Sequence, residues 1–469
     1  MKIYNALGKK VEEFTPIIDG QVKMYSCGPT VYAPAHIGNL SSYIYVDLLR
    51  RALENNKMKV MHVMNLTDVD DKTIRDSAKA HPELGPQERL EKFTAKYTKR
   101  FMQDMYEIGN DVKKVHFIRA TESIEDIQRL IKKLLDEGVA YVADDGIYFD
   151  IKKHQQKRKY GQLTEIEPST QVAHRISNDE YDKENVQDFA LWKKTKQDEA
   201  SWGFMVDGAD LVGRPGWHIE CSAMSVKALG QPFDIHTGGV DLAFPHHENE
   251  IAQSTAGDQP EHLANYFFHT EHLLVDNRKM SKSARNFYTL SDIIKRGLSP
   301  LDFRMLVLQG HYRKPTNFSW DTLEAAHNRL LRWKNFAALR HQLSDVDEED
   351  RLKVERWLEV VRDFLQDDLD VASALAKIEE IIDEIGRQEV GHIDRKAVTV
   401  LFGFVDQNLG LGILQNSLDI SENIKKLIVQ REAYRADGNY ARGDEIRDAL
   451  LHQGIVLRDL GDLTLWERA

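Results

Sequence analysis

The chain has 469 residues, a formal net charge of −12, 42% apolar residues and only two cysteines. This length predicts two to four domains, and the scarcity of cysteine excludes a disulfide scaffold and favours a reducing compartment. The N-terminus lacks the pattern of a signal peptide, and no apolar run approaches the ~18 residues of a membrane span. We therefore expect a cytoplasmic protein with no membrane partner.

The N-terminal part alternates strand and helix patterns. Residues 22–27 predict a strand, 37–55 an amphipathic helix and 59–66 a second, largely apolar strand. This order predicts a parallel βαβ unit, which binds ligands at the carboxyl ends of its strands. We expect a Rossmann-type domain over residues 1–119 that resumes, after an insertion, over 214–290.

Residues 120–213 are predicted to form that insertion. Residues 123–137 have a helical pattern, and Asp145-Gly146 lies between β-rich flanks, which is a hairpin signal. The remainder, residues 152–210, is polar and is predicted to be irregular, with a basic tip at 152–159 and an acidic patch at 179–188.

The C-terminal part is predicted to be helical. Leucines and aromatic residues recur at helical spacing after Trp320, which predicts a helical bundle over 320–410 that follows a segment at 291–319 and includes a helical Asp367-Asp368-Leu369-Asp370 motif. Residues 421–469 predict a small terminal domain, a helical pair broken at Asp437-Gly438 and then a hairpin. The predicted fold class is therefore α/β: a Rossmann-type parallel-sheet domain with an insertion, then a helical bundle and a small C-terminal domain.

The two cysteines, Cys27 and Cys221, each lie beside polar residues suited to chemistry. His246 and Glu250 are spaced i, i+4, which places both on one face of a helix. Two thiolates, an imidazole and a carboxylate form a tetrahedral set that zinc accepts. Spacing alone leaves two buried apolar thiols or a disulfide open, because scattered ligands are a weaker signal than a CxxC pair.

Two further motifs indicate phosphate chemistry. His36-Ile37-Gly38-Asn39 lies at the predicted start of the first helix, where backbone N–H groups attract phosphate. Lys279-Met280-Ser281-Lys282-Ser283 offers two ammonium groups that can stabilise charge developing on a triphosphate. This loop lies in a basic segment, residues 278–340, with 13 Lys or Arg against four acidic residues. Such a segment on an acidic chain favours contact with a polyanion, although a solvated helical surface has the same composition.

Taken together, these residues resemble the class I aminoacyl-tRNA synthetases, and within them the cysteinyl-tRNA synthetases. The resemblance covers nearly the whole chain and is carried by residues 25–32, HIGN, 65–72, 214–222, 233–236, 244–254 and KMSKS. It implies an ATP-dependent ligase that activates L-cysteine to cysteinyl-adenylate, releases pyrophosphate and transfers cysteine to the 3′ end of tRNA(Cys).

The resemblance also implies roles for single residues. Zinc would be held by Cys27, Cys221, His246 and Glu250, with His247 and Glu248 supporting either this site or the adenosine pocket. The cysteine substrate would meet Thr67, Trp217 and His236, and the adenylate would meet Gly38, Gly239 and Asp241. His36, Lys279 and Lys282 would stabilise negative charge on the phosphates of ATP, which binds together with Mg²⁺. Asn39 replaces the usual final histidine of the first motif, so the role of that position is open.

The resemblance assigns the domains as well. The insertion would handle the tRNA acceptor end, 291–319 would contact the stem, and 421–469 would read the anticodon, in a protein that we expect to be a monomer. The C-terminal segment has eight basic and nine acidic residues, so its tRNA role rests on resemblance and not on charge. Trp466 could stack on a base or be a partly buried hairpin residue.

Zinc would also explain the choice of cysteine over serine, because a thiolate is a far better ligand than a hydroxyl. We therefore expect no editing site. Two other interpretations remain: a related ligase that joins cysteine to an amino sugar, whose family is shorter and lacks an anticodon module, and a silent paralogue that only binds RNA. The retained His36, both lysines of KMSKS and the four candidate metal ligands argue against the silent paralogue.

Overall fold

The computed structural model describes residues 1–164, 188–257, 259–280, 286–345, 348–387, 393–460 and 463–469. These residues form two compact units. The first unit comprises Met1–Pro300, Gly310–Ser319 and Gln366–Asp370, and the second comprises Leu301–Gln309, Trp320–Leu365 and Val371–Ala469. The finer boundaries expected from the sequence, such as those at 119, 213 and 290, stay predictions.

The first unit mixes strands and helices. Its strands are β1 (Lys2–Asn5), β2 (Lys10–Glu13), β3 (Gln21–Ser26), β4 (Lys59–Leu66), β5 (Val115–Arg119), β6 (Ala140–Ala143), β7 (Gly146–Phe149), β8 (Phe189–Lys194), β9 (Met205–Val206), β10 (Ala209–Asp210), β11 (Gly213–Pro215), β12 (Phe233–Gly239), β13 (Ala264–Thr270), β14 (Leu273–Val275), β15 (Arg278–Lys279) and β16 (Thr316–Phe318). Its helices are α1 (Ile37–Asn55), α2 (Asp71–Ala80), α3 (Pro86–Glu107), α4 (Ile124–Asp136), α5 (Ile151–Gln155), α6 (Trp217–Leu229), α7 (Glu248–Ser254) and α8 (Leu290–Lys295).

A five-stranded sheet in the order β13-β12-β3-β4-β5 is the centre of the first unit, and each neighbouring pair is parallel. The last five residues of β4 are buried in succession, as in a strand covered on both faces. Because the strands are parallel, their carboxyl ends meet at one edge. That edge brings together Cys27 after β3, Thr67 after β4, Gly239 at the end of β12 and Thr270 at the end of β13. The predicted parallel sheet is confirmed.

Helix α1 begins at the bound predicted from the sequence and covers this sheet. Its N-cap is His36, whose side chain accepts a hydrogen bond from the Asn39 backbone N–H at 3.2 Å. Ile37, Leu40 and Ile44 are fully buried at helical spacing, so the apolar face of α1 packs into the core. This packing holds the start of α1 at the carboxyl edge of the sheet.

The insertion contains an antiparallel sheet in the order β11-β8-β7-β6, packed against α4. The helix and the hairpin at Asp145-Gly146 are confirmed; a Cβ at Gly146 would lie 2.2 Å from the Trp192 carbonyl oxygen, so glycine allows this close approach. The prediction of irregular structure over 152–210 was wrong for β8. That strand pairs with β7 and β11 and buries five of its six residues, which stabilises it despite its polar surroundings. Most of the acidic patch lies outside the described residues.

The second unit is mainly helical, as predicted. Its elements are α9 (Pro300–Leu308), α10 (Trp320–Ala338), α11 (Glu348–Gln366), α12 (Val371–Gly386), α13 (Arg395–Leu409), α14 (Ile413–Asn416), α15 (Glu422–Ala436), α16 (Tyr440–Leu451), β17 (Ile455–Leu460) and β18 (Leu463–Arg468). Gly438, at φ +73°, lies in the predicted break between α15 and α16. Strands β17 and β18 form the predicted antiparallel hairpin. In the parts of the chain that the structure describes, no helix has the length and apolarity of a membrane span.

The structure bears on two sequence predictions for this C-terminal region. Trp466 is 4% exposed and packs in the apolar core of the terminal domain, which supports a buried hairpin residue over a base-stacking one. The helical prediction for Asp367-Asp368-Leu369-Asp370 was wrong. Asp368 and Leu369 have φ of +54° and +57°, so the chain makes a left-handed turn between α11 and α12.

Candidate active site

A cleft with a volume of about 400 Å³ opens at the carboxyl edge of the parallel sheet. It lies where α/β sheets of this kind place their ligands. Residues predicted from the sequence to form the site line much of it, namely Cys27, His36, Gly38, Asn39, Trp217, Gly239, Asp241 and Lys279. Lys282, also predicted to act there, lies outside the described residues.

At one end of the cleft, the four predicted metal ligands come together. One donor atom from each of Cys27, Cys221, His246 and Glu250 lies within 4.8 Å of the others, and all four side chains are buried. The Cys27 Sγ to Glu250 Oε1 distance is 3.6 Å and the His246 Nε2 to Glu250 Oε1 distance is 3.1 Å. Bond lengths of zinc sites imply donor separations of roughly 3.3–3.7 Å around a tetrahedron. The cluster can therefore hold one metal ion with little rearrangement.

The local fold explains this convergence. Cys27 follows β3, Cys221 lies on α6, and Glu250 lies on α7, which packs against α6. His246 belongs to a π-type turn over Ala243–His247 that leads directly into α7, so its spacing from Glu250 stays helical. The i, i+4 relation expected from the sequence is confirmed.

Burial shifts the pKa values of the candidate metal ligands. Burial lowers the pKa of His246 to about 3, so its imidazole is neutral and can act as a ligand near neutral pH. Burial, with a hydrogen bond to Cys221, raises the pKa of the Cys27 thiol well above its ordinary value. A hydrogen bond to Cys27 acts to lower the pKa of Cys221, but burial and the Glu250 charge raise it on balance. Both groups are therefore protonated thiols without a metal, and a bound cation would displace their protons and stabilise the thiolates, as zinc does in thiolate sites.

Further histidines surround the four donors. His218 Nδ1 lies 2.8 Å from His246 Nδ1, which leaves His246 Nε2 facing Glu250. His236 Nε2 lies 2.9 Å from Glu250 Oε2, the carboxylate oxygen directed away from His246. Such partners fix the ring and carboxylate orientation of ligands. The sequence analysis did not single out His218, although it lies three residues before Cys221 on α6.

His247 forms a second branch of this network. Its Nε2 lies 3.4 Å from Cys27 Sγ and its Nδ1 lies 2.8 Å from His269 Nε2. Cys27, His236, His247 and Glu250 form a second set of four donors within 4.8 Å, so two of the donors are shared between overlapping sets. His269, on β13, is separated from every sequence motif, so only the packing of β13 beside β12 could reveal it.

Glu248 supports the same turn from the insertion side. Its carboxylate is 1% exposed and accepts hydrogen bonds from the backbone N–H groups of residues 161–164, at 2.5–3.1 Å. The next residue, Asn249, accepts a 2.6 Å hydrogen bond from the Tyr160 hydroxyl. Glu248 thus points away from the metal ligands, and it fixes residues 160–164 against α7.

The residues expected to contact cysteine differ in how deeply they are buried. Trp217 lines the cleft and stacks on His246, with ring centroids 4.3 Å apart. Thr67 and His236 are no more than 1% exposed; the Thr67 hydroxyl accepts a hydrogen bond from the Asn65 amide, and His236 contacts Glu250. Direct contact of these two residues with the amino acid stays a prediction.

The opposite end of the cleft brings the two phosphate motifs together. A Cβ at Gly38 would lie 2.4 Å from the Met280 Cε and 2.9 Å from His36 Nδ1, so glycine permits this approach. The Ile37 backbone N–H donates to the Tyr288 carbonyl at 2.9 Å, which ties the start of α1 to the chain after the KMSKS loop. Lys279 lines the cleft from the exposed strand β15.

The adenylate residues predicted from the sequence follow β12. Gly239 ends this strand, and a Cβ there would lie 2.6 Å from Asp241 Oδ1. Asp241 lies in the short helical turn Val240–Leu242 and lines the cleft. This position leaves its carboxylate available to ribose hydroxyls, and that role stays a prediction.

Comparisons with known proteins identify relatives of this chain. Residues 13–328 match the family described as the tRNA synthetases class I (C) catalytic domain. A cysteine–tRNA ligase of Leptospira interrogans is 39% identical over 100% of this chain and 99% of its own length, and one of Brachyspira hyodysenteriae is 38% identical over 99% and 98%.

A solved structure shares the fold. Mycobacterium tuberculosis methionyl-tRNA synthetase bound by methionyl-adenylate superposes with a TM-score of 0.55 at 13% identity, over 84% of this chain and 93% of that one. The predicted α/β Rossmann-type fold is confirmed. With a family match over most of the first unit and relatives matched along the whole chain, this chain belongs to the cysteine–tRNA ligase family of class I tRNA synthetases.

Proposed function

We propose that this protein ligates L-cysteine to tRNA(Cys) in two steps. The cysteine α-carboxylate attacks the α-phosphorus of ATP·Mg²⁺, forming cysteinyl-adenylate and releasing pyrophosphate; a terminal ribose hydroxyl of tRNA then accepts the cysteinyl group and releases AMP. The observation that carries this proposal is full-length similarity to cysteine–tRNA ligases, in a chain whose predicted metal ligands converge in the cleft.

The chain's own residues would position the reactants. His36 and Lys279 lie where the phosphates of ATP would extend, and Lys282 follows on the same loop. Gly239 and Asp241 would contact the adenosine ribose, and Trp217 would cover the amino acid. No side chain needs to form a covalent intermediate, because charge stabilisation and alignment supply the acceleration.

The metal would be Zn²⁺, held by Cys27, Cys221, His246 and Glu250. The donor set of nitrogen, oxygen and two sulfurs fits zinc better than magnesium or calcium, which prefer oxygen. When bound, zinc supplies a soft Lewis acid that favours a thiolate over a hydroxyl. His218 and His236 orient two of its ligands, and the surrounding buried residues exclude water.

The remaining regions would bind tRNA. Residues 120–213 would contact the acceptor end, 291–319 the stem and 421–469 the anticodon. In the described part of the terminal domain, Arg431 is buried against Asp459, with both guanidinium nitrogens 2.7 Å from the carboxylate. This arginine therefore stabilises the domain, and other basic side chains there would contact RNA. We expect the protein to act in the cytoplasm as a monomer.

Pyrophosphate exchange and tRNA charging test this proposal. The purified protein should incorporate labelled pyrophosphate into ATP when cysteine is present and not when serine replaces it. It should also charge tRNA(Cys) transcripts, and a transcript whose anticodon is altered serves as control. Exchange that depends on another amino acid, or cysteine-dependent exchange with an amino sugar as the only acceptor, would contradict the proposal.

A further inference from the structure

The left-handed turn at residues 367–370 places one buried carboxylate among several donors of the first unit. Asp368 is 6% exposed. Its Oδ1 accepts hydrogen bonds from the Tyr4 backbone N–H at 2.8 Å and from the Tyr312 hydroxyl. Its Oδ2 accepts two from the Arg313 guanidinium, one of them at 2.7 Å. One side chain thus fixes three residues that are distant in sequence.

Those contacts hold the chain segment that leads into β16. The Tyr312 ring stacks on Phe268 of the parallel sheet, with centroids 4.3 Å apart, and the Arg313 guanidinium lies 5.0 Å from the Tyr4 ring. The Tyr312 carbonyl accepts a 2.7 Å hydrogen bond from the Glu271 backbone N–H. Glu271 lines the cleft at the end of β13. The Asp368 carboxylate is therefore linked to the cleft wall through one intervening residue, Tyr312.

Strand β16 in turn supports the hairpin that carries the KMSKS motif. It pairs with β14 through Leu274 and Asn317, and β14 pairs with β15 through Leu274 and Lys279. Both strands of this pairing are only two or three residues long, so the hairpin has few hydrogen bonds of its own. The position of Lys279 consequently depends on how firmly β16 is held.

We propose that Asp368 is a positioning residue for the phosphate end of the cleft. It fixes Tyr312 and Arg313, these fix β16 and Glu271, and the three-stranded sheet β15-β14-β16 then holds Lys279 at the triphosphate. This inference rests on the proposed function, since it assigns Asp368 a role in adenylate formation. Asp368 does not touch the substrates or the metal cluster.

The hydrogen bonds that Asp368 accepts depend on its negatively charged carboxylate. Asparagine is tolerated at positive φ, so Asp368→Asn keeps the turn, but its amide removes the negative charge and replaces one acceptor oxygen by an NH₂ group, which faces either the Arg313 donors or those of Tyr4 and Tyr312. The neighbouring Asp367 provides a matched control. Its side chain is 64% exposed and contacts only the exposed Lys2 ammonium at 3.5 Å among the ion pairs of the described residues, so Asp367→Asn removes the same charge without affecting β16.

The experiment compares Asp368→Asn, Asp367→Asn and the unmodified full-length protein in cysteine-dependent pyrophosphate exchange. We expect Asp368→Asn to lower kcat by up to about tenfold, since misplacing Lys279 can cost as much as removing its ammonium group but not more. The KM for cysteine and the zinc content should stay unchanged, because the metal end of the cleft is held by other elements. Trypsin cleavage after Arg278 and Lys279, mapped by mass spectrometry under native conditions, should become faster only in Asp368→Asn.

Equal rates of pyrophosphate exchange and of trypsin cleavage in the two asparagine variants would overturn the inference. A loss of zinc from Asp368→Asn that parallels its loss of activity would overturn it as well. If Asp368→Asn does not fold, Tyr312→Phe removes only the hydroxyl, which donates to Asp368 and accepts from the Tyr4 backbone N–H at 3.3 Å. This variant should show a smaller kcat loss with the same unchanged KM for cysteine, and no loss there would also overturn the inference. An unmodified protein without cysteine-dependent exchange would instead refute the proposed function.

Discussion

The two ends of the cleft hold their charged and polar groups in opposite ways. At the metal end, Cys221, His246 and Glu250 are at most 1% exposed, and further buried histidines fix their orientation. At the phosphate end, Lys279 is exposed on a two-residue strand and Asn39 is also exposed. The proposed function would account for this difference. Distinguishing sulfur from oxygen would require donors fixed in a dry site, whereas charge on a departing pyrophosphate could be stabilised by exposed cations.

Replacing one buried ligand should have the largest effect. In Cys221→Ser a hydroxyl replaces a thiolate, so we expect loss of bound zinc together with loss of selectivity. A pocket that senses size alone separates substrates differing by one atom by ~1–3 kcal/mol, so the preference for cysteine over serine should fall to about 10- to 200-fold. The measurement is kcat/KM for both amino acids in pyrophosphate exchange, with zinc content determined in parallel.

Ser225→Ala is the matched control for that substitution. Ser225 lies one turn further along α6, is fully buried and donates to the Ser222 carbonyl at 3.3 Å. It should retain zinc and selectivity. A Cys221→Ser protein that lacks metal yet keeps its original preference for cysteine would show that the cluster does not select the substrate.

The pH dependence of zinc affinity should be the next largest effect. Zinc binds thiolates, and burial raises the pKa of Cys27, so binding must displace thiol protons and affinity must rise with pH. Two displaced protons correspond to about a hundredfold gain per pH unit below the raised thiol pKa values. His246, with a pKa of about 3, is already neutral and adds nothing in this range. Competition with a chelator, measured from about pH 6 to about pH 8, gives the slope of zinc affinity against pH.

The weak zinc affinity that remains in Cys221→Ser, measured at higher zinc concentrations, again tests the assignment, because one thiol fewer should reduce the slope to about tenfold per unit. A pH-independent affinity would mean that the thiols do not bind the metal. Phosphate-end variants should leave this slope unchanged, since Lys279 is remote from the buried donors.

The sequence predicted one end of the cleft more completely than the other. Cys27, His246 and Glu250 could be identified because ligand chemistry fixes residue types, and helical spacing fixes the last two. His269 could not, because it reaches His247 only through the pairing of β12 with β13. The two phosphate motifs could also be recognised from short stretches of sequence, but their convergence at Gly38 depends on tertiary packing.

The same limit applies to the fold. The bounds of α1 and β4 followed from apolar periodicity, which reports directly on one buried face or two. Strand β8 was missed because its polar flanks hide a short run that is buried only by its two neighbours. The turn at Asp368 was misassigned because its residues do not forbid a helix; it forms because Tyr4, Tyr312 and Arg313 converge on that carboxylate.

The smallest of these effects should come from Lys279→Ala at the exposed end. Loss of one solvent-exposed ammonium should lower kcat for pyrophosphate exchange about tenfold, since a second lysine remains on the loop and water screens the lost charge. The effect should shrink as ionic strength rises, while zinc content and selectivity stay unchanged. Arg278→Ala is the control, because Arg278 is equally exposed on β15 but is not among the described cleft-lining residues. Equal losses in both variants would mean that general surface charge, and not the position of Lys279, acts on the phosphates. A salt-independent loss would mean that Lys279 does not act through its charge.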